Sequence, residues 1–123
     1  FIFNYDKQYN VKYTIVCEGP FDALMVNGVA VCGNHCNTRQ IDLLNHLPTK
    51  KIVVPDKDGK DSNLMDVAIK NKWHISLPEW PNEVKDICDA VAYYGRLEAL
   101  LTILYAKEYN KIKIKIKKRK WLK

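Results

Sequence analysis

Glu18, Asp56 and Asp58 each follow directly on a run rich in β-branched and apolar residues, Glu18 after YTIVC and the two aspartates after KKIVVP. Carboxylates that meet at one place repel each other unless something positive lies between them. Magnesium, or manganese in its stead, suits such a group, because it takes hard oxygen ligands, often one or two carboxylates with waters and substrate phosphates. The chemistry on offer is therefore metal-assisted work on phosphates. The stretch VVPDKDGKD, 53–61, has a plainer reading as a solvated turn, since Asp, Gly and Lys are ordinary loop residues. Which reading holds depends on whether the fold brings Glu18 to the aspartates.

The elements that would do so can be read along the chain. VKYTIVC, 11–17, is a predicted strand stopped by Glu18-Gly19-Pro20. Pro20 then opens a helix over Phe21 to Asn27 with Gly28 as its stop. VAVCG, 29–33, is a second short strand, and Thr38 is placed to cap a helix through Leu47, ended before Pro48. KKIVVP, 50–55, is a third strand, followed by a helix capped by Asp61 or Ser62 with Leu64, Met65, Ala68 and Ile69 on one face. Trp73–Leu77 is a fourth strand, and Asp86–Tyr94 and Arg96–Tyr105 are two helices split by Gly95. Nearly all-apolar strands alternating with helices of about ten residues predict an α/β fold, a four-stranded parallel sheet flanked by helices. In such a sheet ligands gather beyond the carboxyl ends of the strands, where Glu18, Asp56 and Asp58 would stand. Asp22, in the first turn of its helix, either complements the helix dipole or adds charge behind the metal ligands.

Of 123 residues, 20 are basic and 14 acidic, a net charge of +6. Positions 107–123 hold nine Lys or Arg against one Glu, while the first 106 hold eleven against thirteen. A mildly acidic body with a strongly basic tail points to a polyanionic partner or to a solvated tail. Within the tail, KIKIKIK at 111–117 alternates at period two, which predicts a basic edge strand with one buried face. Its lysines would then either contact nucleic acid or guard an exposed sheet edge. Trp121 would stack on a base or simply pack.

No run approaches the roughly 18 apolar residues of a membrane span, and no signal-peptide pattern opens the chain, so a cytoplasmic location is expected. Four cysteines, Cys17 and Cys32 within apolar runs, suit a reducing compartment. Cys32, His35, Cys36 and His46 do not have the spacing of a zinc ribbon or finger, and no zinc is expected. A start at Phe1 is read as a piece of a longer protein. The expected divisions are 1–10 as a lead-in from an upstream domain, 11–92 as the main domain, and 93–123 as a helix with the basic strand.

EGPFDAL at 18–24, VAVCGN at 29–34, VVPDKDG at 53–59 and VKDICDAV at 84–91 together resemble the Toprim domain of topoisomerases and primases. Glu18-Gly19 matches that family's glutamate motif, and Asp56 with Asp58 its Asp-x-Asp motif. The segment Lys85, Asp86 and Asp89, with YYGRLEALLTILYAK after it, is most similar to phage DNA primases. The resemblance implies the catalytic Toprim part of a primase, which makes short RNA primers on single-stranded DNA from nucleoside triphosphates with a divalent metal, beside a replicative helicase. It implies that Glu18, Asp56 and Asp58 hold magnesium and share catalysis with Lys85. Asp22, Asp86 and Asp89 would stand behind them, and Lys113, Lys115, Lys117, Lys118, Arg119 and Lys120 would contact nucleic acid. Lys85 reads equally well as a surface lysine paired with Glu83 or Asp86. Three rivals share these residues: a Toprim nuclease, a topoisomerase fragment, and a non-catalytic docking module of a replication complex.

Overall fold

The computed structural model describes residues 1–33, 35–57 and 62–121. Five strands, β1 (Tyr13–Cys17), β2 (Val29–Ala30), β3 (Lys50–Val53), β4 (His74–Ser76) and β5 (Lys107–Glu108), form one sheet in the order β2-β1-β3-β4-β5. The first four run parallel and β5 runs antiparallel to β4. Six α-helices flank the sheet among the described residues: α1 (Pro20–Val26), α2 (Thr38–His46), α3 (Leu64–Lys70), α4 (Ile87–Tyr94), α5 (Arg96–Tyr105) and α6 (Lys111–Trp121). None is long and apolar enough to cross a membrane. Val16, Cys17, Ile52 and Val53 are fully buried, as central strands covered on both faces must be.

The strand order decides where a site can form. From β1 the chain goes to β2 on one side and then crosses back to β3 on the other. The two crossovers diverge there and leave a crevice at the carboxyl ends of β1 and β3. Their register pairs Val16 with Val53, so Glu18 and Asp56 leave the sheet side by side.

Local signals explain most element ends. Pro20 occupies the first turn of α1, where a missing N–H costs nothing. The left-handed residue that ends α1 is Asn27, with φ 52°, one residue before the expected stop. Gly28 serves another purpose: a Cβ there would lie 2.5 Å from the backbone oxygen of Ile15, so only glycine lets the chain pass β1 closely enough to start β2. α2 is capped by Asn37 rather than Thr38, through a reciprocal box in which the Asn37 side chain accepts the Gln40 N–H and the Gln40 side chain accepts the Asn37 N–H. The N-cap of α3 is Asn63, whose side chain makes no capping bond, rather than Asp61 or Ser62; Ser62 Oγ accepts the Leu64 N–H at 3.2 Å from one position earlier, and Asp61 lies outside the described residues. The first residues pack on the β2 edge, with Phe3 bridged to Ala30, Ile2 buried and Gln8 Nε2 donating to Asn27 O.

The basic edge strand expected at 111–117 is instead helix α6, and the sheet edge is formed by β5. A strand would bury Ile112, Ile114 and Ile116 together, yet only Ile114 is buried, while Ile112 and Ile116 are 71% and 56% exposed. Ile114 and Trp121, seven residues apart, form the buried stripe of a helix instead. Asn110 starts it, its side chain accepting the N–H groups of Ile112 and Lys113 at 3.0 and 3.1 Å. Capping together with the good helix propensity of lysine outweighs a period-two pattern that no sheet neighbour rewards.

The close approach at Gly28 is open to test. Gly28→Ala is expected to destabilise the protein by about 1–3 kcal/mol in urea denaturation, because backbone must shift to admit the methyl. Gly33→Ala, where a Cβ meets nothing within 4 Å, is expected to change stability by less than about 0.5 kcal/mol. Equal effects at both positions would contradict this account of Gly28.

Candidate functional site

Glu18 is placed by β1 and held from both sides. Its main-chain carbonyl accepts the Cys32 N–H at 2.9 Å beyond β2, and its Oε2 accepts the Asp56 N–H at 3.1 Å beyond β3. The Val54 N–H donates to Val16 O at 2.9 Å, continuing the ladder to within two residues of Asp56. Glu18 is only 9% exposed, so one carboxylate of the rim is fixed in direction as well as in place.

Asp22 joins from α1. It is 7% exposed, and its Oδ1 accepts the Cys88 N–H of α4 at 2.9 Å. Asp22 therefore stands at two helix N-termini, its own and that of α4, both favourable to a negative charge. This bond also ties α1 to α4 across 66 positions of sequence.

The Lys85, Asp86, Asp89 segment forms the start of α4. Asp86 is the N-cap and accepts the Asp89 N–H at 2.8 Å, while Asp89 Oδ2 accepts the Lys85 N–H at 3.1 Å. The segment that the resemblance put behind the metal ligands is thus also a capping arrangement. Lys85 is exposed, and its main-chain carbonyl accepts the Lys57 N–H at 3.0 Å. That bond fastens the residue after Asp56 to the residue before Asp86. Asp58 lies outside the described residues.

Two thiols report how tightly the acids converge. Burial pushes the Cys17 thiol well above its ordinary range, and the charges of Asp22, Asp56 and Glu18 push it the same way. Burial likewise raises Cys88, to about 12, assisted by a hydrogen bond with Asp22 and by the charges of Asp22, Asp86 and Asp89. Asp22 is common to both thiols. The acids thus form an arc running from Asp56 and Glu18 through Asp22 to Asp86 and Asp89.

Ligand atoms of Asp22, Asp86 and Cys88 lie within 4.8 Å of one another. When no ion is bound, burial and the neighbouring carboxylates hold the Cys88 thiol up, so this end of the arc pairs two carboxylates with one protonated thiol. At the other end, the Glu18 carboxylate, held by the Asp56 N–H, is a hard oxygen donor of the kind magnesium or manganese takes.

Sequence reasoning missed Lys57. Its Nζ donates to the carbonyls of Trp80 and Pro81 at 3.2 and 3.1 Å and lies 5.2 Å from the centre of the Trp121 ring. Its position between two acids was the only available signal. The residues expected to contact nucleic acid, Lys113, Lys115, Lys117, Lys118, Arg119 and Lys120, are distributed around α6, and Lys113 lies 3.9 Å from the Glu108 carboxylate. Trp121 is 5% exposed and packs against Trp80, ring centres 5.4 Å apart.

No protein-family model matches the chain, and no curated protein matches it. Among solved structures, the fold is similar to that of the Aquifex aeolicus primase, in a crystal structure of its zinc-binding and RNA polymerase domains, with a TM-score of 0.66 and 21% sequence identity. The similarity covers 87% of this chain and 30% of that one. At this identity the likeness is one of fold, and this chain spans less than a third of that protein's length.

The acid arc predicts how Cys88 reacts. Its alkylation rate, followed by peptide mass spectrometry, is expected to rise about tenfold per pH unit between about pH 8 and 10, whereas an ordinary thiol rises about fourfold over that whole interval. Asp22→Asn is expected to bring the rise to lower pH. A rate that levels off near pH 9 in the unaltered protein would show that burial and the carboxylates together do not hold this thiol up.

Proposed function

We propose that this chain is the Toprim part of a DNA primase, joining nucleoside triphosphates into short RNA primers on single-stranded DNA. The observation that carries this reading is the bond from the Asp56 N–H to the Glu18 carboxylate at the β1–β3 crevice, within a fold similar to that of a primase. A scaffold has no physical use for acids gathered there, whereas phosphoryl chemistry does.

Asp56 and Glu18 would hold the divalent ion, with Asp58 as the further ligand implied by its spacing; when bound, the ion would supply positive charge to the phosphates. The chain's own residues provide the rest. The Asp56 N–H orients Glu18; Asp22 anchors α1 to α4, so that the rim keeps its shape; and the bond from the Lys57 N–H to Lys85 O aligns the two acidic segments. Lys85, exposed at the start of α4, would meet triphosphate charge. Burial of Glu18 and Asp22 limits competing water around the acids and strengthens each electrostatic contact.

Magnesium is expected to raise the melting temperature of the unaltered chain, and to do so much less for Asp56→Asn or Glu18→Gln. In the intact protein, both substitutions are expected to abolish primer synthesis on single-stranded DNA while the circular dichroism spectrum stays unchanged. Synthesis at the unaltered rate by either variant would overturn the proposal. Magnesium-dependent cutting of supercoiled plasmid without primer synthesis would identify a nuclease.

A further inference from the structure

Lys57 links the acidic rim to a second feature. Its main chain belongs to the rim, but its side chain lines a cavity of about 830 Å³ between the 77–82 segment, α5 and α6. That volume is in the range of small-ligand sites, about 300–1,000 Å³. Leu77, Trp80, Tyr94 and Trp121 give it apolar and aromatic walls. The charged groups around it are Lys57, Lys117 and Lys120 against Glu79, an excess of positive charge.

The exposed ring indicates what the cavity takes: Tyr105 lines it and is 86% exposed, whereas Trp121 beside it is 95% buried and packs against Trp80. A solvent-facing aromatic ring beside cations is the arrangement on which nucleobases stack while phosphates meet lysines. α6 continues the positive charge beyond the cavity through Lys111, Lys113, Lys115, Lys118 and Arg119. Its eleven residues span about 16 Å at 1.5 Å each, which is room for several phosphates rather than one.

We propose that this cavity is a seat for single-stranded nucleic acid. A base enters against Tyr105, and the phosphates beside it lie on Lys117 and Lys120. The strand then runs past Lys57 toward the acids. The choice of nucleic acid rests in part on the primase reading, but binding here requires no metal, so the two can fail separately.

The test is fluorescence anisotropy of a labelled oligothymidylate with the unaltered chain, in EDTA, over a series of salt concentrations. Tyr105→Ala is expected to weaken binding about tenfold, the effect of losing one stacked base. Lys117→Glu combined with Lys120→Glu is expected to reduce the slope of log affinity against log salt by about 1.4, or about 0.7 for each lost phosphate contact. Lys111→Glu combined with Lys113→Glu makes the same charge change on α6 away from the cavity and is expected to have much the smaller effect. Tyr105 and Lys120 are exposed, so these variants should fold, and melting curves check it. Equal losses in both lysine pairs with no loss in Tyr105→Ala would overturn the proposal in favour of diffuse attraction to the helix. Binding of duplex as tightly as of single strand would overturn it as well, and so would an acidic peptide that displaces the oligonucleotide completely while Tyr105→Ala binds the oligonucleotide normally. Tight strand binding with no metal-dependent synthesis would leave the cavity standing and remove the primase reading alone.

Discussion

Repulsion among carboxylates is the constraint around which this molecule is arranged. Two unit charges 4.8 Å apart, the limit for the ligand atoms of Asp22 and Asp86, repel by about 3 kcal/mol at an effective dielectric of about 20. A fold that gathers several such groups must oppose that cost locally. At the α4 end it does so with backbone. The Cys88 and Asp89 N–H groups donate to Asp22 and Asp86, and hydrogen bonds to charged groups contribute about 1.5–3 kcal/mol each. At the β1–β3 end the Glu18 carboxylate receives the Asp56 N–H.

The supporting structure follows from the same need. Parallel pairing of β1 with β3 brings Glu18 and Asp56 together, and the position of β2 on the other side of β1 opens the crevice above them. α1 begins two residues after Glu18, so Asp22 can reach both the rim and α4. The 66-residue separation between Asp22 and Cys88 closes the arrangement over most of the chain. Disturbing any one of these tethers should therefore alter the rim before it unfolds the sheet.

Much of this was legible in the sequence because local signals agreed with the fold. Apolar runs marked β1 and β3, Pro20 marked the start of α1, and Asp86 with Gly95 bounded α4. Glu18 and Asp56 could be placed at one rim because parallel α/β order requires it. What could not be read depended on long-range partners. The alternation of Ile and Lys in 111–117 has no meaning as a strand without a neighbour to bury the isoleucines, and Asn110 with Trp121 makes a helix instead. The capping roles of Asp86 and Asp89 and the reach of Asp22 to Cys88 were hidden for the same reason. So was Lys57, whose side chain finds carbonyls more than twenty residues away.

The central claim is that the rim formed by Glu18 and Asp56 holds a divalent cation. The most direct measurement is titration with manganese, followed through backbone amide signals in nitrogen-15 NMR spectra, since a paramagnetic ion broadens only what lies near it. The expected result is that the amides of Glu18, Cys32 and Asp56 broaden first, well below one equivalent, while those of the exposed acids Asp6, Asp42 and Glu98 stay sharp. Broadening spread evenly over all exposed acids, with the rim no more affected than the rest, would contradict it.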